Sequence, residues 1–173
     1  MNTNDEPQKG STDNSGRSLE SVVLSILDGL REQDLTIVLI EDKPVKAGTL
    51  NGRQAEFRIQ GLTTQDSALD GTVFLTFSYL RENDLDAAFA PDLSIGNRYH
   101  PARLAKRIGK PVPTIFDRTA SALQQHYFRV VTDEDRLPAE VTDCRLLFAR
   151  GNWHAQVANL SQSVVADLKW IPA

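Results

Sequence analysis

Short runs of alternating apolar and polar residues, separated by turn-forming residues, constrain this fold more than any other feature of the sequence. In the run 53–59, Ala55, Phe57 and Ile59 alternate with polar residues, as is typical of a strand with one face in the core. Other strand-like runs lie at 35–40, 45–50, 72–79, 128–132, 143–149, 153–158 and 164–170. Because many of the links between them are short, neighbouring strands are expected to pair antiparallel.

Turn-forming residues predict where these strands end. Asn51-Gly52 is the strongest hairpin signal in the chain, because it accommodates the positive φ angles of a type I′ turn. Asp42-Lys43-Pro44 and Arg150-Gly151-Asn152 predict two further turns. The run Leu35–Ile40 is apolar on both faces, which indicates a central strand of the sheet.

Helices are predicted before and between the two groups of strands. Apolar residues recur at steps of three and four from Leu19 to Leu30, which indicates an amphipathic helix. Pro101 suits the first turn of a second, shorter helix, and Gly109 suits the position after its end. A longer helix is expected from Ile115 to about Tyr127.

The segregation of helices from strands predicts an α+β fold. We expect antiparallel β-meanders of about seven strands, packed against the N-terminal helix and the longer mid-chain helix. The chain has 173 residues, the length of one domain. Residues 1–17 have almost nothing to bury and are expected to form a disordered tail, which leaves 18–173 as a single domain. Periodicity alone leaves open whether the meanders form one sheet or two.

The clearest anomaly of the sequence is a local concentration of positive charge. The formal net charge is −4, yet residues 98–110 contain five Lys or Arg residues, one His and no acidic residue. We therefore predict a site for an anion or a partner here, formed by Arg98, Tyr99, His100, Arg103, Lys106, Arg107 and Lys110. In this interpretation Tyr99 offers a stacking face. The alternative is that these cations form a solvated face or pair with carboxylates of the same fold.

Candidate chemistry is otherwise sparse in the sequence. The three histidines, His100, His126 and His154, lie in different predicted elements without the paired spacing of metal ligands, so no metal site or cofactor is expected. Cys144 lies on the apolar face of its strand and is interpreted as a core residue. No apolar run reaches the length of a membrane span, and a cytoplasmic location is expected.

Two functions fit these observations. The first is a non-enzymatic adaptor that contacts a protein partner, in part through the basic segment; the net negative charge disfavours nucleic acid as the partner. The second is a small enzyme or binder of a phosphorylated or anionic ligand, with its site around residues 92–110 and His100 as the acid or base. A deep pocket lined by Tyr99, His100 and Arg103 would favour the second, and an exposed basic segment would favour the first.

Overall fold

A computed structural model describes residues 19–47, 50–61, 71–81, 98–130, 141–154 and 161–172. The elements in these ranges are α1 (Leu19–Arg31), β1 (Leu35–Ala47), β2 (Leu50–Gly61), β3 (Thr72–Arg81), α2 (Pro101–Ile108), α3 (Thr114–Gln125), β4 (Arg129–Val130), β5 (Arg145–His154) and β6 (Ser161–Ile171). The strands form one sheet in the order β1-β2-β3-β6-β5-β4, and every neighbouring pair is antiparallel. The predicted α+β class is confirmed, and the two meanders join through β3 and β6. The predicted tail lies outside the described residues.

The described sheet has six strands instead of about seven, and two of the predicted turns lie inside strands. Asp42-Lys43-Pro44 belongs to β1, where the pairing with β2 shifts between Leu39 and Glu41. Arg150-Gly151-Asn152 belongs to β5, where the pairing with β6 shifts between Arg150 and Trp153. Such irregularities let an antiparallel strand bend around extra residues without ending.

The first hairpin and its outer strand also differ from the prediction. Ala47 pairs with Leu50, and the predicted turn residues Asn51 and Gly52 pair with Lys46 and Val45 within the ladder. β1 lies at the edge of the sheet, and its Val38, Leu39 and Ile40 side chains are 40%, 53% and 45% exposed. Pro44 donates no backbone hydrogen bond, which an edge strand tolerates and a central strand does not.

The core lies between one face of the sheet and the helices. Val22, Ile26 and Leu30 of α1 are buried along the predicted stripe. The sheet contributes the buried side chains of Ile59, Val73, Leu75, Phe77, Leu146, Phe148, Ala166 and Leu168. Cys144 is also fully buried, as predicted. The register places charged residues on the opposite face of the sheet, among them Glu56, Arg58, Asp167 and Lys169.

Candidate functional site

The start of α2 is fixed to α3 by Tyr99. The Tyr99 backbone N–H donates a hydrogen bond of 2.7 Å to Gln124 Oε1, and its hydroxyl donates one of 2.6 Å to Asp117 Oδ1. The ring is only 4% exposed and lies 6.4 Å from the ring of Phe148, centroid to centroid. Burial raises the pKa of the Tyr99 phenol, and the hydrogen bond to the Asp117 carboxylate raises it further. Tyr99 therefore remains a neutral hydrogen-bond donor at physiological pH.

This position of Tyr99 differs from the role predicted for it. The sequence suggested a stacking face beside Arg98, whereas the ring packs in the core. A pocket lined by Tyr99, His100 and Arg103 would therefore lack its aromatic wall. Tyr99 instead holds the neighbouring basic residues in place, because it anchors the chain one residue before His100, the N-cap of α2.

The remainder of α2 is fixed by one apolar side and by a glycine at its end. Leu104 is 4% exposed and belongs to the main core, and Ile108 packs against that core. Gly109 ends the helix with a φ of 76°, and its N–H bonds to the carbonyl of Ala105 at 2.9 Å. This left-handed conformation is one that glycine adopts without a steric penalty, as the sequence predicted.

The other side of α2 presents the predicted cations to solvent. We call this the basic surface; its members are the exposed residues Arg98, His100, Arg103, Lys106, Arg107 and Lys110. Within the described part of the chain, no carboxylate forms an ion pair with Arg98, Arg103, Lys106 or Arg107. Internal pairing with the described carboxylates therefore does not account for these four charges.

A cleft lies where the end of α2 meets the start of β5 and the end of β6. Its volume is about 460 Å³, and its lining includes Lys110, Asp143, Arg145, Lys169 and Trp170. We call it the cationic cleft, because three of these residues are cations and one is a carboxylate. Lys110 Nζ stands 4.8 Å from the centroid of a Trp170 ring, within the range of a cation–π contact. Lys110 thus belongs both to the basic surface and to this cleft.

Sequence reasoning missed the cationic cleft, apart from Lys110. Arg145, Lys169 and Trp170 come together through the pairing of β5 with β6 and through the turn before β5. Arg145 and Lys169 are 24 positions apart in the chain, so no short motif connects them. The one available signal was a tryptophan preceded by a lysine at the end of the last strand.

The described residues contain one cysteine, Cys144, and no arrangement of side chains suited to a metal ion. Burial raises the pKa of the Cys144 thiol, although nearby Lys110 acts in the opposite direction. Cys144 is therefore a protonated core residue at neutral pH. In the ranges that the structure describes, no group of three or more His, Cys, Asp or Glu side chains is arranged to hold a metal ion.

Comparison of the chain with protein-family models, curated proteins and solved structures finds no match. Among the described helices, none has the length and apolar character needed to cross a membrane.

Proposed function

We propose that this protein is a non-enzymatic binding protein whose basic surface contacts an acidic segment of a partner protein. The observation that supports this most is that Arg98, Arg103, Lys106 and Arg107 are exposed and form no ion pair with a described carboxylate. They stand on a chain with a net charge of −4. A positive face on a negative protein orients it towards an acidic partner during encounter.

The arrangement of the arginines suits carboxylates on an extended partner segment. Arg103 and Arg107 are four residues apart on α2, so they lie on the same side of the helix. Each guanidinium can bind a carboxylate through two parallel hydrogen bonds. An exposed ion pair contributes only about 0.2–1 kcal/mol, so useful affinity needs several of these cations acting together.

Stabilisation of the helix itself explains only part of this charge. Lys106 and Arg107 lie in the last turn of α2, where positive charge interacts favourably with the helix dipole. Arg98 precedes the helix and Arg103 lies in its first turn, where the dipole disfavours a cation. A role outside the fold is therefore the simpler explanation for Arg98 and Arg103.

The enzyme or small-ligand alternative around residues 92–110 has weaker support. It needed Tyr99 as a wall of the pocket, and Tyr99 is buried and bonded to Asp117. Residues 92–97 of that predicted site lie outside the described residues. We also propose a cytoplasmic location, which is consistent with a single buried cysteine.

Charge reversal on α2 tests the proposal. The full chain is titrated with a fluorescent poly-glutamate peptide and with a duplex DNA of similar charge, and anisotropy is recorded. The variant Arg103→Glu/Arg107→Glu is compared with Lys43→Glu/Lys46→Glu, which changes the net charge equally on the exposed part of β1. Thermal melts of both variants report whether the fold is retained.

We expect the wild-type protein and the β1 variant to bind poly-glutamate similarly. The α2 variant should bind about 10- to 100-fold more weakly, because two attractions become repulsions. Equal losses in the two variants would mean that net charge alone matters and would contradict the proposal. Binding of the DNA more tightly than of poly-glutamate would contradict the choice of a protein partner.

A further inference from the structure

The cationic cleft has the features of a second binding site, separate from the one in the proposed function. From its lining, we propose that it is a binding site for a phosphate monoester, carried by a free nucleotide or by a phosphorylated side chain. Lys110, Arg145 and Lys169 line it together with the carboxylate of Asp143. A phosphate monoester has a charge of about −1.5 to −2 at pH 7, so the two lysines of this cleft attract it more strongly than they attract a carboxylate.

Arg145 and Lys169 bring two positive charges next to each other in the sheet. The two residues are direct cross-strand partners in the β5–β6 ladder. Like charges in such a pair destabilise the sheet unless an anion compensates them. Asp167 compensates Arg145: its carboxylate accepts hydrogen bonds from Arg145 Nε at 3.1 Å and from Arg145 Nη2 at 2.8 Å. These two bonds also fix the orientation of the guanidinium before a ligand arrives.

The backbone beside the cleft is strained. Asp143 has a φ of 46° and Cys144 a φ of 64°, so two consecutive residues other than glycine adopt the left-handed conformation. Side chains disfavour this region, and such conformations concentrate at ligand-binding sites where surrounding contacts enforce them. The fully buried Cys144 side chain ties this turn to the core. This turn leads to Asp143 and Arg145, which both line the cleft.

Trp170 forms one wall of the cleft, and its indole contacts Lys110. Its indole packs closely over Gly71, where an added Cβ would overlap Trp170 Nε1. Lys110 Nζ stands over a ring of the same indole. An anion that draws the Lys110 ammonium away from the ring would therefore change the fluorescence of Trp170. The cleft volume of about 460 Å³ is also in the usual range for small-molecule sites.

The test uses the full chain and three probes at constant ionic strength. The probes are adenosine monophosphate, a phosphoserine peptide and the same peptide without phosphate. Calorimetry measures binding of each probe. Tryptophan fluorescence is recorded for the wild type and for Trp170→Phe, and a change that is lost in the variant comes from Trp170. Lys110→Ala and Lys169→Ala remove one cation each, with Lys43→Ala and Lys46→Ala as controls for the loss of a lysine elsewhere. Asp143→Asn removes the lining carboxylate and keeps a residue that tolerates the left-handed conformation.

We expect binding of at least one phosphorylated probe and no binding of the unphosphorylated peptide. Lys110→Ala and Lys169→Ala should each weaken it about tenfold, because each loses a charge-assisted hydrogen bond. Asp143→Asn should tighten it about two- to fivefold, since a nearby negative charge is removed. Preference for adenosine monophosphate identifies a free nucleotide as the source, and preference for the phosphopeptide identifies a modified side chain.

Two results would contradict the proposal that the cationic cleft binds a phosphate monoester. One is that neither phosphorylated probe binds, and the other is that the cleft variants bind like the wild type. The failure of this site is distinguishable from that of the proposed function. Arg103→Glu/Arg107→Glu tests poly-glutamate binding by the basic surface, whereas Lys169→Ala lies outside that surface and tests only the cleft.

Discussion

Replacement of Tyr99 by phenylalanine measures how firmly the basic surface is held. The change removes the hydroxyl that donates to Asp117 Oδ1 at 2.6 Å and keeps the ring against Phe148. A hydrogen bond to a charged group contributes about 1.5–3 kcal/mol. Because Asp117 is partly exposed and water can replace the hydroxyl, we expect the lower value, about 1.5 kcal/mol. For a chain of this size, that loss lowers the Tm by about 3–6 °C.

The same variant has a characteristic dependence on pH. The pKa of Tyr99 is raised in the folded protein, whereas in the unfolded chain it is about 10. The stabilisation is therefore fully present below pH 10. It falls by about 1.4 kcal/mol per pH unit above that value, because only the unfolded state releases the proton. The difference in stability between the wild type and Tyr99→Phe should narrow by about 1 kcal/mol from pH 10 to pH 11, because half of the unfolded chains are already ionised at Tyr99 at pH 10.

Urea denaturation between pH 7 and pH 11 provides the assay. Tyr127→Phe is the matched control, since the Tyr127 side chain is 38% exposed, and we expect its stability to equal that of the wild type. If Tyr99→Phe and Tyr127→Phe had the same stability at every pH, the bond to Asp117 would not hold α2, and our account of how the basic surface is positioned would be refuted.

Three further substitutions test the fold that positions the site. Leu104→Ala should lower the free energy of unfolding by about 2–5 kcal/mol, because it leaves a cavity under α2, as a urea titration would measure. Leu39→Ala on the exposed edge of β1 should change it by less than about 0.5 kcal/mol in the same titration, and an equal loss in both would contradict the assigned burial. Gly71→Ala should lower the Tm and change the fluorescence of Trp170, because Gly71 has a φ of 101° and its new Cβ would overlap the indole; an unchanged Tm would contradict this packing.

Much of the fold could be predicted from the sequence because local periodicity determines it. The stripe from Leu19 to Leu30 gave α1, and Pro101 and Gly109 marked the limits of α2. The alternation of Val73, Leu75 and Phe77 gave the buried face of β3. These elements depend on near neighbours in the chain, which a sequence displays directly.

The errors arose where strand pairing overrides local signals. Pro44 lies within β1 and Gly151 within β5, because ladder pairing on either side outweighs the turn preference of these residues. Leu35–Ile40 indicated a central strand, but apolar character does not report how many strands adjoin it. β1 lies at the edge because β3 pairs with β6, a strand far away in the sequence, and β1 pairs with β2 alone. This non-local pairing cannot be read from the residues of β1.

The candidate site was also only partly predictable. The charge of residues 98–110 was evident from composition, and its exposure followed from the amphipathic spacing of Leu104 and Ile108. The burial of Tyr99 could not be foreseen, since its partners Asp117 and Gln124 lie on a different helix. The cationic cleft required the three-dimensional register of β5 and β6.

The salt dependence of poly-glutamate affinity tests the central claim most directly. Dissolved salt screens the attraction between exposed charges, with a screening length of about 8–10 Å at physiological ionic strength. Binding of poly-glutamate through the basic surface must therefore weaken as salt is added. We predict a steep fall in wild-type affinity between low and physiological salt and a nearly flat response for Arg103→Glu/Arg107→Glu. A wild-type affinity that is independent of salt, or identical slopes for the two proteins, would contradict the assignment of binding to α2.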